Sequence, residues 1–409
     1  MLSVATAVSR KKKIMNKTIG LVIGSSLAFS SIIGAGILFI PSSLIHYTGE
    51  YANYFMLFGF LFAAFFSFMF YRISLLNPSA GLDHMVVSLL GKHAKNSIPT
   101  LLSSALIIGL PIAGVLCAKI ISALFLDGAY ESSVFVLIFV CSFLFNISSF
   151  GFLSKVQLLV VISILISIFV LYVDSMINVV EKEYYSSDSV SHYMYSGLLI
   201  AILAFAGLEN MPAMATKFPK KNYTYFFSMI IGAAAALLIY FIFIAIIESN
   251  NGPDTEMLSW LINNDDEMRS NKMIAATFIL LAVLGNIITW NIGMTALLTS
   301  VTGFTTLKIQ YISTICFIGV SFLLLFNVLE MNFAVSQVGA VFSLIYVFLI
   351  FAYIKMESII RLKVLAFIVS IFMLLILFYN AKFLIYSILV CALLVVVNIT
   401  RGRNEKNLL

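Results

Sequence analysis

This chain is poor in charge. Lysine, arginine, aspartate and glutamate together make up 10% of its 409 residues, where soluble domains carry about 25%. A water-facing surface cannot be assembled from that supply, which excludes a soluble globular protein. Cysteine is scarcer still. Cys117, Cys141, Cys316 and Cys391 each fall in an apolar run without metal-ligand spacing, which predicts buried free thiols rather than disulfides or a zinc site. The four histidines, His46, His84, His93 and His192, form no pair with metal spacing either. No phosphate-cradling loop, dinucleotide fingerprint or nucleophile–base arrangement occurs, and no polar stretch exceeds about 25 residues. An enzyme and an ATP-driven pump are therefore set aside, and neither a cofactor nor a metal is expected.

What the chain does have is hydrophobicity: 62% of its residues are apolar and the mean hydropathy is +1.08. A bilayer core takes about 20 apolar residues per helix. By that measure spans fall at 19–47, 51–75, 99–126, 133–150, 152–173, 193–216, 223–247, 273–303, 309–329, 331–354, 361–379 and 382–400, so the fold class is an all-α membrane protein with twelve transmembrane helices. The basic start, Arg10 to Lys13, precedes an apolar run too long for a signal-peptide core, so that run is read as a retained span.

Loop charges fix the orientation. With the N-terminus cytoplasmic, 19 of the 24 lysines and arginines lie in loops on that side and four (Lys182, Arg269, Lys272 and Lys382) on the other. One miscounted span would invert every later loop and destroy this asymmetry. Both termini are thus expected in the cytoplasm of a bacterial-type inner membrane. The same placement accounts for the net charge of +6 without nucleic acid as a partner; the large partner is the lipid bilayer.

Two segments share an unusual pattern. The first span contains Ala35-Gly36-Ile37, closing on Pro41, and the sixth contains Ala206-Gly207-Leu208, closing on Pro212. Both read Ala-Gly-aliphatic-x-x-x-Pro, in spans that run in opposite directions. Glycine weakens a helix, and proline leaves the carbonyl four residues back, Ile37 or Leu208, without its donor. Backbone groups freed in a bilayer need protein, water or ligand as partners, so paired interruptions point to a transporter's binding site.

Ser31-Ile32-Ile33-Gly34-Ala35-Gly36-Ile37, ending at Pro41, resembles the first-span signature of the amino acid–polyamine–organocation (APC) superfamily. Asn77-Pro78-Ser79-Ala80-Gly81 is similar to its loop after the second span. Phe205-Ala206-Gly207-Leu208-Glu209, followed by Lys217-Phe218-Pro219-Lys220-Lys221, resembles its sixth-span motif and basic exit. Gly109-Leu110-Pro111 is most similar to bacterial exporters of neutral amino acids such as methionine and branched-chain residues. The resemblance implies a LeuT-like 5+5 inverted repeat, 19–173 and 193–354, followed by two additional helices over 361–400. Residues 1–18 and 401–409 are then cytoplasmic ends. It implies substrate binding at Gly34, Ala35, Gly36, Ile37, Phe205, Ala206 and Gly207, and it gives Glu209 as the acidic position after the sixth-span glycine, the candidate for proton coupling.

Three further residues are weaker candidates. Lys119 is a charge inside the third span, about seven residues from its outer end, and is read first as reaching for the interface, with a functional role as the alternative. Asn286 and Trp290 share one face of the eighth span at i, i+4, where interhelical hydrogen bonding competes with substrate contact. Glu209 itself has a structural alternative, as an acid tied to a hydroxyl or a backbone amide. The expected activity is secondary transport, as exporter or permease, of a small neutral amino acid by alternating access, with protons as the candidate coupling ion. The alternatives are a cationic amino acid or polyamine exchanger, with Glu209 as counter-charge, and a receptor or assembly subunit that keeps the fold without transport.

Overall fold

The computed structural model describes residues 20–76, 97–145, 159–170, 190–211, 223–250, 269–385 and 388, apart from 23, 35, 127, 168, 210 and 303. Ala35, Asn77–Gly81, Pro212, the basic exit at 217–221, Cys391 and nearly all of the expected twelfth span lie outside this set. All regular structure among the described residues is helical. A chain without water to satisfy its amides must bond them within each segment. The helices are α1 (Gly20–Ile32), α2 (Gly36–Thr48), α3 (Ala52–Leu76), α4 (Ser97–Phe125), α5 (Glu131–Phe145), α6 (159–167) and α7 (Val190–Leu203). They continue with α8 (Thr224–Asn250), α9 (Arg269–Thr302), α10 (Thr306–Leu325), α11 (Met331–Met356) and α12 (Ile360–Tyr379). Six helical stretches among them are long and apolar enough to cross a membrane. Buried hydroxyls bond within their own helix, as Ser67 does to the Ala63 carbonyl at 2.8 Å and Thr48 to Leu44 at 2.7 Å.

The helices pack in two groups. In the first, α3 packs on α7 and α8, and α2 packs on α3, α7 and α8. In the second, α4 packs on α5, α9 and α10, and α5 packs on α9 and α10. Helix α11 touches both groups, through α3 and α7 on one side and α4 on the other, and α12 lies against it. Helices α4 and α11 are almost wholly enclosed, whereas α10 and α12 turn most of their length outward. Their outward residues, among them Leu307, Tyr311, Ile315, Val364, Phe367 and Ile371, are large and apolar, as a lipid-facing surface requires. This corrects the expectation of four buried thiols: Cys117 is buried, but Cys141 is half-buried and Cys316 is exposed on α10. In a bilayer, an apolar run is as stable against lipid as against protein, so hydropathy alone does not mark burial.

One ion pair ties the first group to α11. Arg72, at the end of α3, donates from Nε and Nη2 to Glu357 at 2.9 and 2.8 Å. The Tyr353 hydroxyl and the amides of Ser358 and Ile359 complete the carboxylate's partners. The Arg72 hydrogen bonds, against the opposing effect of burial, hold the Glu357 carboxyl down at about 2 from its usual 4.5. A lowered carboxyl stabilises the fold fully above pH 4.5, and the contribution is lost as pH falls toward 2. Glu357→Ala should cost about 3 kcal/mol at neutral pH, since it strands a guanidinium that is largely removed from solvent. Melting in detergent checks both points: the gap between wild type and variant should narrow between pH 4.5 and 3, and a constant gap would rule out the linkage.

Candidate functional site

The first span is interrupted ahead of its proline. The last regular bond of α1 runs from the Ile33 amide to Phe29 at 2.8 Å, and α2 opens with a tight bond from the Ile37 amide to Gly34 at 3.3 Å. The chain is helical from Gly36 through Pro41, so the described interruption lies at Ile33 and Gly34 and not at the Ile37 carbonyl that the proline pattern suggested. The break deprives the Ser30 and Ile33 carbonyls of helical donors. Both are taken by Asn286 of α9, whose Nδ2 donates to them at 2.9 and 3.3 Å. Gly34 permits this approach, because a Cβ there would sit 2.5 Å from Asn286 Oδ1. The break falls where a neighbouring helix can accept its consequences.

The sixth span breaks in the opposite sense. Helix α7 tightens at its end, with Phe205 and Ala206 bonding to Ile202 and Leu203. The chain then turns through Ala204–Gly207, and Gly207 adopts φ +120°, where a side chain is strained. The Tyr240 hydroxyl of α8 donates to the freed Ala204 carbonyl at 3.1 Å. The freed Gly207 amide donates to both oxygens of Glu209, at 2.9 and 2.8 Å, and Tyr346 of α11 donates to the same carboxylate at 2.7 Å. Stacking on Phe66, at 4.2 Å between centroids, fixes the Tyr346 ring. The two breaks also touch each other: a Cβ on Gly207 would run into the Ser31 carbonyl oxygen.

A cavity of about 100 Å³ lies beside the breaks, between the two helix groups. Around the breaks it is lined by Ser31 and Ile32 of α1, by Gly34, by Gly36, Phe39 and Ile40 of α2, and by Leu203 and Ala206 at the end of α7. Asn286 and Trp290 of α9 and the α4 residues Ala105, Leu106, Gly109, Leu110, Ile112 and Ala113 supply the second group's wall, and α11 closes it with Val335, Val338 and Phe342. None of the described residues lining it is charged. Its polarity comes from Asn286, Ser31 and helix ends: α2 presents its N-terminus through Gly36, while α1 and α7 present C-terminal turns. Such ends carry opposite partial charges of about half an electron each. A zwitterion's carboxylate suits the first and its ammonium the second.

Of the residues expected at the substrate, Gly34, Gly36 and Ala206 line the cavity, and Ala35 is outside the described residues. Ile37 and Phe205 are buried in the surrounding packing, Phe205 edge-on to Tyr240, and are not part of the lining. Gly207 and Glu209 stand behind the cavity wall as the fastening of the sixth-span break. Lys119 is half-buried on α4, away from the lining, whereas Asn286 and Trp290 both face the cavity. Sequence reasoning missed Tyr240 and Tyr346. Each is a hydroxyl fully enclosed within a long apolar helix, and such a group needs a partner, which was the available signal. Among the described residues no group of three His, Cys, Asp or Glu side chains is placed to hold a metal ion.

The same fold occurs in solved membrane transporters. The manganese transporter of Eremococcus coleocola, in complex with an aromatic bis-isothiourea substituted compound, superposes with a TM-score of 0.62 at 12% identity, covering 92% of each chain. Two point variants of that transporter superpose with TM-scores of 0.60 over 91% of both chains, also at 12% identity. No family model matches this chain, and no curated protein does. The chain is a multi-pass helical membrane protein with a transporter fold. At 12% identity the likeness concerns the fold alone.

Proposed function

We propose that this chain is a secondary transporter of small neutral amino acids, an exporter or permease of the APC type, working by alternating access. One observation carries the reading. The two helix breaks meet beside a cavity that offers both signs of helix end and, among its described lining residues, no charged side chain. Such a site balances a zwitterion with an uncharged side chain. A cationic amino acid would leave its side-chain charge without a partner. Glu209, the counter-charge that the cationic alternative would use, is already engaged by the Gly207 amide and Tyr346.

The similar structures are of a manganese transporter, which makes a divalent cation the second reading. Manganese takes carboxylate, carbonyl or water oxygens, and the described lining of the cavity supplies no carboxylate to compensate its two positive charges. The neutral substrate is the better match.

The twelve-span, 5+5 arrangement belongs to the same proposal. Packing of the first, second, sixth and seventh spans in one group, and of the third, fourth, eighth and ninth in another, is the pairing that a five-span repeat predicts. Rocking of one group against the other would open the cavity to each side in turn. We place the chain in a bacterial-type inner membrane with both termini cytoplasmic, and give Glu209 the coupling proton. Purified protein in liposomes, screened against twenty amino acids and Mn²⁺ with and without a pH gradient, tests the reading. Uptake of small neutral amino acids is expected. Transport of Mn²⁺ alone would replace it with the second reading.

A further inference from the structure

We infer that Gly109 of α4 sets the upper size of the substrate's apolar side chain. The inference rests on the amino-acid reading above. Three glycines line the cavity, and two are required by their surroundings. A Cβ on Gly34 would collide with Asn286, and one on Gly36 would meet Ile40 Cδ1 at 2.7 Å and the Tyr240 hydroxyl at 3.2 Å. Gly109 is different. A Cβ there would find only the Val338 methyl groups, each at an ordinary 3.8 Å. Its backbone is helical, inside a 29-residue helix, where glycine is a poorer choice than alanine. Neither packing nor backbone geometry demands glycine here. Its structural consequence is the space that the missing methyl leaves in the cavity wall, beside Val338 of α11.

In a cavity of about 100 Å³ a single methyl group matters. A compact hydrophobic pocket discriminates one methylene by about 10–200-fold. Gly109 lies among apolar lining residues, Leu106 and Leu110 of α4 and Val338 of α11. Bulk added there should therefore act on the substrate's apolar side chain rather than on the amino and carboxyl groups common to all amino acids.

Gly109→Ala and Gly109→Val, purified in detergent, are to be titrated with glycine, alanine, valine, leucine and methionine beside the wild type. Gly109→Ala should melt at or above the wild-type temperature and bind glycine and alanine within about twofold of it. It should bind the largest accepted member at least about tenfold more weakly. Gly109→Val should move the cut-off further toward glycine. An unchanged rank order in both variants overturns the role of Gly109, and so does a lower melting temperature for Gly109→Ala, which would show that packing requires the glycine. Failure of the wild type to bind any member is a separate result, and it overturns the amino-acid reading together with the inference built on it.

Discussion

Gly207→Ala should remove substrate binding and lower the melting temperature, although the new side chain is a single methyl group. At φ +120° an L-residue is strained, which costs about 1–3 kcal/mol. The methyl group also points at the Ser31 carbonyl, a backbone atom that cannot rotate away, and overpacking of this kind costs about 1–3 kcal/mol more. The total of about 2–6 kcal/mol corresponds to at least a thirtyfold loss in any equilibrium that needs the two breaks in contact. Gly34→Ala should follow, since it pushes Asn286 off the carbonyls it serves. Gly36→Ala should be mildest, because the nearest obstacle, Ile40 Cδ1, is the end of a flexible side chain. Direct binding and thermal melting on the three variants test this order. Wild-type affinity in Gly207→Ala would mean that contact between the breaks plays no part in binding.

At Glu209 two substitutions separate structure from coupling. Glu209→Ala leaves the Gly207 amide and the Tyr346 hydroxyl buried without their acceptor, and each stranded donor costs about 1–3 kcal/mol. That variant should be strongly destabilised. Glu209→Gln keeps an acceptor oxygen, and a tyrosine hydroxyl can accept as well as donate, so the fold should persist. What it loses is the ability to bind and release a proton. A proton moving down about 100 mV supplies about 2.3 kcal/mol, enough for a roughly fiftyfold gradient of a neutral substrate. Glu209→Gln should therefore exchange substrate across liposome membranes yet fail to accumulate it under a proton gradient. The geometry suggests how a proton would act: protonation removes acceptor capacity from the group that fastens the sixth-span break. Wild-type accumulation by Glu209→Gln would reduce Glu209 to its fastening role.

Composition and hydropathy were enough to determine that this is an all-helical membrane chain, because the cost of unbonded amides in lipid leaves helices as the structure for long apolar runs. The matched Ala-Gly pairs also lie at the two helix interruptions, since glycine is needed wherever backbone must approach backbone. Three things were decided by tertiary structure alone. The first-span break lies ahead of the position its proline pointed to, at residues whose carbonyls Asn286 can reach from another helix. Ile37 and Phe205 turned into the packing while Asn286 and Trp290 turned into the cavity, because the side of a uniformly apolar helix that meets the site depends on its neighbours. Glu209, whose position in sequence marked it as chemically active, is fastened to the Gly207 amide and to a tyrosine 137 residues away. Hydropathy registers the cost of placing a group in lipid. Which partner removes that cost is a property of helices brought together from distant parts of the chain.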